Sequence, residues 1–132
     1  FYNGSITVID ETYNSSPEAV IAALDLLVSK KGRHFAVLGT MLELGKQSIF
    51  LHQKVAEYAA HLYLDGLIIV AAGREAEVMK HAASSIKHLH VVKSPEDAFK
   101  TLNSWLRFGD VVLLKASRAV AMEKLIPLLL SS

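Results

Sequence analysis

The sequence predicts a doubly wound α/β domain, Rossmann-like, with a mostly parallel sheet of about five to six strands flanked by helices. Three observations lead there. Short β-branched and leucine runs alternate with longer amphipathic segments along all 132 residues. The strand candidates are continuous apolar runs, as in strands covered on both faces, not the polar–apolar alternation of a half-solvated sheet. No linker, repeat or low-complexity stretch divides the chain, so residues 1–132 are expected to form one domain.

The elements follow in order. Ile6-Thr7-Val8-Ile9 is the first strand. A polar loop leads to a helix over Pro17 to Ser29, where Val20, Ala23, Leu24, Leu27 and Val28 recur at helical spacing. Pro17 suits a first helical position and Ser15 or Ser16 can cap it; Glu18, three after Ser15, gives a capping-box spacing. Phe35 to Leu38 is the second strand, and Gln47 to Leu62 a helix with Leu51, Val55, Tyr58, Ala59 and Leu62 on one face. Leu67 to Val70 is the third strand, followed by a short helix over Ala76 to Ser84. His90 to Val92 is a brief fourth strand, and Pro95 to Leu106 a helix that Ser94 can cap. Val111 to Leu114 is the fifth strand and Ala119 to Leu130 a last helix, with Pro127 near its end.

Composition narrows the function. With 52% hydrophobic residues the chain can fill a core unaided and is not disordered. Fourteen basic against thirteen acidic residues leave a net charge of +1 with no run of Lys or Arg, which argues against nucleic acid or an anionic membrane surface as partner. The longest apolar runs, Leu67 to Ala72 and Leu125 to Leu130, fall far short of the ~20 residues of a membrane span. Zero cysteines exclude disulfides, thiolate metal sites and cysteine nucleophiles. The opening Phe1-Tyr2-Asn3-Gly4 reads like the interior of a polypeptide, so a domain cut from a longer chain is expected.

In doubly wound sheets ligands sit at the carboxyl ends of the strands. Four such loops carry informative residues: Asp10 to Pro17, Gly39 to Gly45, Ala71 to Glu75 and Lys115 to Arg118. Each alone reads as turn chemistry. Together they place acids and a Lys-x-Ser-Arg group on one sheet edge, and Lys and Arg suit phosphate or carboxylate. Familiar signatures fail. Gly39 to Lys46 has five residues between its glycines and Gln47 after the lysine, so it is not a phosphate loop of the Walker type. A Gly-x-Gly-x-x-Gly fingerprint and a Gly-x-Ser-x-Gly elbow are absent, and the six histidines lack metal-ligand spacing. Asp10, Glu11 and Lys115 mimic a receiver domain, but the third strand ends Val70-Ala71-Ala72-Gly73 without the phosphoacceptor aspartate such a domain needs.

Three ordered segments carry a more specific resemblance. Ile9-Asp10-Glu11-Thr12-Tyr13-Asn14-Ser15-Ser16-Pro17 is similar to an Asp-Asp-x-Tyr-Asn-Ala-Asn-Pro motif, and Val37 to Gly45, followed by His52, to Val-Leu-Gly-Asp-Met-x-Glu-Leu-Gly. Gly109 to Arg118 is similar to Gly-Asp-x-Val-Leu-x-Lys-Gly-Ser-Arg, with Met122-Glu123 continuing it. These are motifs of the C-terminal domain of the Mur ligases, in the branch that adds D-alanyl-D-alanine, and the resemblance runs from about residue 6 to 130. The departures are Glu11 for Asp, Ser16 for Asn, Thr40 for Asp and Ala116 for Gly.

The resemblance implies the third domain of a three-domain, ATP-dependent ligase of peptidoglycan precursor synthesis in the bacterial cytoplasm. Such an enzyme joins D-alanyl-D-alanine to UDP-N-acetylmuramoyl-tripeptide through an acyl phosphate. It implies ATP and Mg2+ for the whole enzyme, with the metal ligands in a central domain and no metal or catalytic residue in this one, which alone is expected to be inactive. Nucleotide binding is implied for Asp10, Glu11, Asn14 and Ser16, and substrate binding for Lys115, Ser117 and Arg118. Tyr13 is as suited to packing as to ligand contact, and His52 is expected to be structural. The near rivals are another Mur ligase or a folylpolyglutamate synthase; from a different class, a non-catalytic nucleotide- or peptide-binding module.

Overall fold

The computed structural model describes residues 6–10 and 16–115, arranged as β1 (Thr7–Asp10), α1 (Pro17–Val28), β2 (His34–Gly39), α2 (Ser48–His61), β3 (Gly66–Val70), α3 (Gly73–Ala82), β4 (His88–Val92), α4 (Pro95–Trp105) and β5 (Val111–Lys115). A 3-10 turn over Gly45–Gln47 leads into α2. The expected last helix lies outside the described residues. The strands form a single parallel sheet ordered β1-β5-β2-β3-β4.

Helices α1, α2 and α3 supply the core on one face, where Leu24, Leu27, Val55, Ala59 and Met79 meet Ala36, Leu38, Leu67, Ile69 and Leu113. Helix α4 covers the other, where Ala98 and Leu102 meet Phe35, Val37, Ile68, Val112 and Leu114. The change of face has a topological cause. The first three crossovers advance across the sheet in one direction, whereas β4 to β5 runs back over two strands. A right-handed crossover running backwards must pass on the opposite face.

Element ends differ from the sequence expectations for local reasons. Ser16 is the cap of α1 and accepts from the Ala19 amide at 3.2 Å. Glu18 is therefore two residues past the cap, and the capping-box spacing counted from Ser15 is not the one used. Helix α3 starts at Gly73, three residues earlier than its apolar periodicity indicates. Its cap is Ala72, which has no polar side chain to signal a start, and Gly73 turns the chain at φ +65°. Strand β4 reaches back to His88 because it is an edge strand, where exposed positions accommodate histidine.

Candidate functional site

The carboxyl edge of the sheet collects the loops singled out in the sequence. Asp10 closes β1 and stands opposite Leu114 of β5; Lys115, one residue further, stands opposite Leu38 of β2. Strands β1 and β5 thus bring together two charged residues 105 positions apart. Lys115 is only 2% exposed, because β5 lies between β1 and β2 and every position along it is buried. Alternation along β5 puts Lys115 with Val111 and Leu113 on the face of α1 and α2. An ammonium group so placed is held away from bulk water, where its field on a nearby anion is screened least.

Ser16 occupies the start of α1, and its hydroxyl oxygen is engaged by the Ala19 amide. The hydroxyl proton remains available for a ligand at the helix N-terminus, where the first backbone amides also point outward. Glu11, Tyr13 and Asn14 of the first loop, and Ala116, Ser117 and Arg118 of the last, lie outside the described residues.

The loop after β2 shows what the sequence did not. Met41 is buried, while Leu42 and Glu43 are exposed. Glu43 has φ +59° and Gly45 +63°; for the glutamate, this left-handed backbone costs about 1 kcal/mol. The loop is fastened from below by His52, which is 0% exposed. Its Nε2 accepts from the Met41 amide at 3.0 Å, and its Nδ1 lies 2.7 Å from the Ser48 carbonyl oxygen. A backbone N–H can only donate, so Nε2 is unprotonated and Nδ1 carries the proton that Ser48 receives. The Ser48 hydroxyl in turn donates to Glu75 Oε2 at 3.1 Å, tying α2 to the first turn of α3. The Glu75 carboxyl is held below its ordinary range, first by its own backbone amide at the helix start, then by the Ser48 hydroxyl and the charge of Arg74; burial opposes them. In the sequence, the i, i+4 spacing of Ser48 and His52 was the available signal; nothing local couples Glu75 to them.

Among the described residues, no group of three or more His, Asp or Glu is placed to hold a metal ion. Nor, among them, is any helix long and apolar enough to cross a membrane.

Residues 2–118 match the family described as Mur ligase, glutamate ligase domain. The chain belongs to this family. Among similar proteins, the UDP-N-acetylmuramoyl-tripeptide–D-alanyl-D-alanine ligase of Mycobacterium leprae is 34% identical over 91% of this chain and 27% of its own length. The Synechocystis protein of the same name is 34% identical over 96% of the chain and 28% of its length. The Mur ligase domain thus spans a little over a quarter of these relatives. Among solved structures, MurF ligase from Thermotoga maritima in complex with ADP superimposes with a TM-score of 0.84 at 34% identity, over 99% of this chain and 29% of that one. A domain from a Haemophilus ducreyi ligase, at 17% identity and TM-score 0.67, shares the fold and covers 95% of its own chain.

Proposed function

We propose that this Mur ligase domain is the third domain of a cytoplasmic bacterial enzyme that joins D-alanyl-D-alanine to UDP-N-acetylmuramoyl-tripeptide in peptidoglycan precursor synthesis. The observation that carries this reading is the agreement of relatives. The Mycobacterium, Synechocystis, Haemophilus and Treponema proteins that match 89–96% of the chain carry that one name. The ADP in the Thermotoga structure supports a nucleotide-handling role. The other domains of the enzyme would provide the phosphate loop, the Mg2+ ligands and the UDP-sugar site.

ATP supplies the phosphoryl group that turns the tripeptide carboxylate into an acyl phosphate, the electrophile for the dipeptide amine. This domain's residues bind and orient. Asp10, Glu11, Asn14 and Ser16 face the nucleotide from the first loop and the start of α1, where carboxylates and amides accept and donate to ribose and phosphate. Lys115, Ser117 and Arg118 face the dipeptide carboxylate and the phosphoryl oxygens. Arg118 suits bidentate carboxylate binding, and the buried Lys115 suits the charge developing on oxygen. Closing the domain over the nucleotide would bring these groups up and exclude water, so the rate gain comes from positioning and electrostatics.

The test is phosphate release by the full-length enzyme with ATP and a UDP-muramoyl tripeptide, comparing D-alanyl-D-alanine with single amino acids. Release that requires the dipeptide is expected, and Ser117→Ala and Arg118→Ala should each impair it with the fold intact. Release with glutamate and a folate acceptor instead would move the protein to the folate branch. No release under any combination would favour a binding module.

A further inference from the structure

We infer that His52 is a positioning residue for the amine-substrate side of the site, fixing the Thr40 to Leu44 loop beside Lys115 through the Met41 amide. The inference rests on the reading that Lys115 faces the incoming dipeptide. Geometry carries the rest. Leu38 is the register partner of Lys115, and the loop leaves β2 one residue later, after Gly39. Its height over Lys115 is therefore set by its first anchored residue, Met41. Met41 is anchored twice, by its buried side chain and by the 3.0 Å bond from its amide to His52 Nε2. His52 is itself aligned by the Ser48 carbonyl, and Ser48 is tied to Glu75, so the loop after β2 and the first turns of α2 and α3 are linked through one imidazole.

A leucine at position 52 would occupy the same buried position and require no desolvated polar ring. A fully buried imidazole with both nitrogens engaged instead defines one geometry, which is what a buried polar network contributes over apolar packing. The geometry it defines includes the left-handed Glu43, exposed at the same edge. Without the Met41 bond this loop would relax toward less strained conformations and leave its place beside Lys115.

The test is a pair of variants in the full-length enzyme. In His52→Gln the side-chain oxygen reaches the Nε2 position and still accepts from Met41. In His52→Asn the shorter side chain keeps a donor toward Ser48 but loses that acceptor. Amide exchange of a peptide spanning residues 39–45 reports the loop directly. His52→Asn should speed its exchange and raise KM for D-alanyl-D-alanine about tenfold, the size of one lost buried hydrogen bond. KM for ATP and kcat should stay within about twofold, and His52→Gln within about threefold of wild type throughout. Unchanged loop exchange in His52→Asn, or faster exchange with no change in that KM, overturns the inference. So does an equal loss in both variants, which marks a packing role only. A wild-type enzyme that releases no phosphate with the dipeptide refutes the proposed reaction, and with it the substrate half of the inference; loop exchange alone then decides whether His52 holds the loop.

Discussion

Replacing Arg33 by methionine should destabilise the fold by about 2 kcal/mol, through a charge pair at the edge of the sheet opposite the site. Asp110 is 2% exposed at the entrance to β5. It accepts from Arg33 Nε at 2.9 Å, from Arg33 Nη2 at 2.7 Å and from the Arg107 amide at 2.6 Å. Arg33 Nη2 also donates to the Trp105 carbonyl oxygen at 3.0 Å, and the guanidinium stands 4.9 Å over the Phe35 ring. Removing one partner of a fully buried pair costs roughly 3–5 kcal/mol. The Arg33 side chain is 37% exposed, however, so water screens the pair and stabilises the bereft carboxylate. Discounting by about half gives the ~2 kcal/mol stated. Asp110→Asn keeps the shape and an acceptor for the Arg107 amide and should cost less, about 1–1.5 kcal/mol. Urea denaturation of the 132-residue chain, with unchanged slope, reads both, and the double variant completes a cycle. A coupling of about 1 kcal/mol or more is expected. Additive single effects, or an Arg33→Met cost below about 0.5 kcal/mol, would refute the assignment of this pair as a tie between the α1–β2 and α4–β5 loops.

The other predictions concern neighbouring devices. Gly32→Ala should cost ~3 kcal/mol or more, because at φ +120° its Cβ would lie 2.2 Å from the Gly109 carbonyl oxygen, a backbone atom that cannot step aside; a denaturation midpoint near wild type would contradict this. Ser94→Ala removes the acceptor for the Asp97 amide at the cap of α4 and should cost about 1 kcal/mol, measured the same way, with Ser94→Asp recovering most of it. Glu75, whose carboxyl is depressed in the fold, contributes stability that is present above the ordinary glutamate pKa and lost as pH falls through its folded value. Wild type should therefore exceed Glu75→Gln in unfolding free energy at neutral pH, with the gap closing in acid; a gap constant down to about pH 3 would rule the interaction out.

Much of the fold was legible because burial writes itself into strand composition. Leu67 to Val70 and Val111 to Leu114 are apolar on both faces, and only a strand covered twice has that pattern. Helix starts were legible where a side chain marks them, as at Ser94-Pro95, and not where the cap is Ala72. His88 falls outside the strand that the sequence predicts, because polar residues on an edge strand are indistinguishable from a loop in one dimension. At the site, Asp10, Ser16 and Lys115 were readable as strand and helix ends. The Ser48–His52–Glu75 network was not, since its last link crosses from α2 to α3, and that neighbourhood is a product of the sheet.

Strand order, too, has a trace in polarity. The two strands with exposed positions, β1 and β4, are the sheet edges, and the three that are buried almost throughout, β2, β3 and β5, are its centre. The last described strand, β5, therefore lies inward, between β1 and β2, because its apolar side chains have the most to lose at an edge. This has a consequence for the chemistry. A lysine closing an edge strand would reach water freely, whereas Lys115 closes a central one and is buried with it. For stability alone, a long apolar side chain would serve better at that position, since it carries no charge to desolvate. Under the proposed substrate-binding role, burial in a central strand would keep the field of the ammonium group on a bound anion weakly screened.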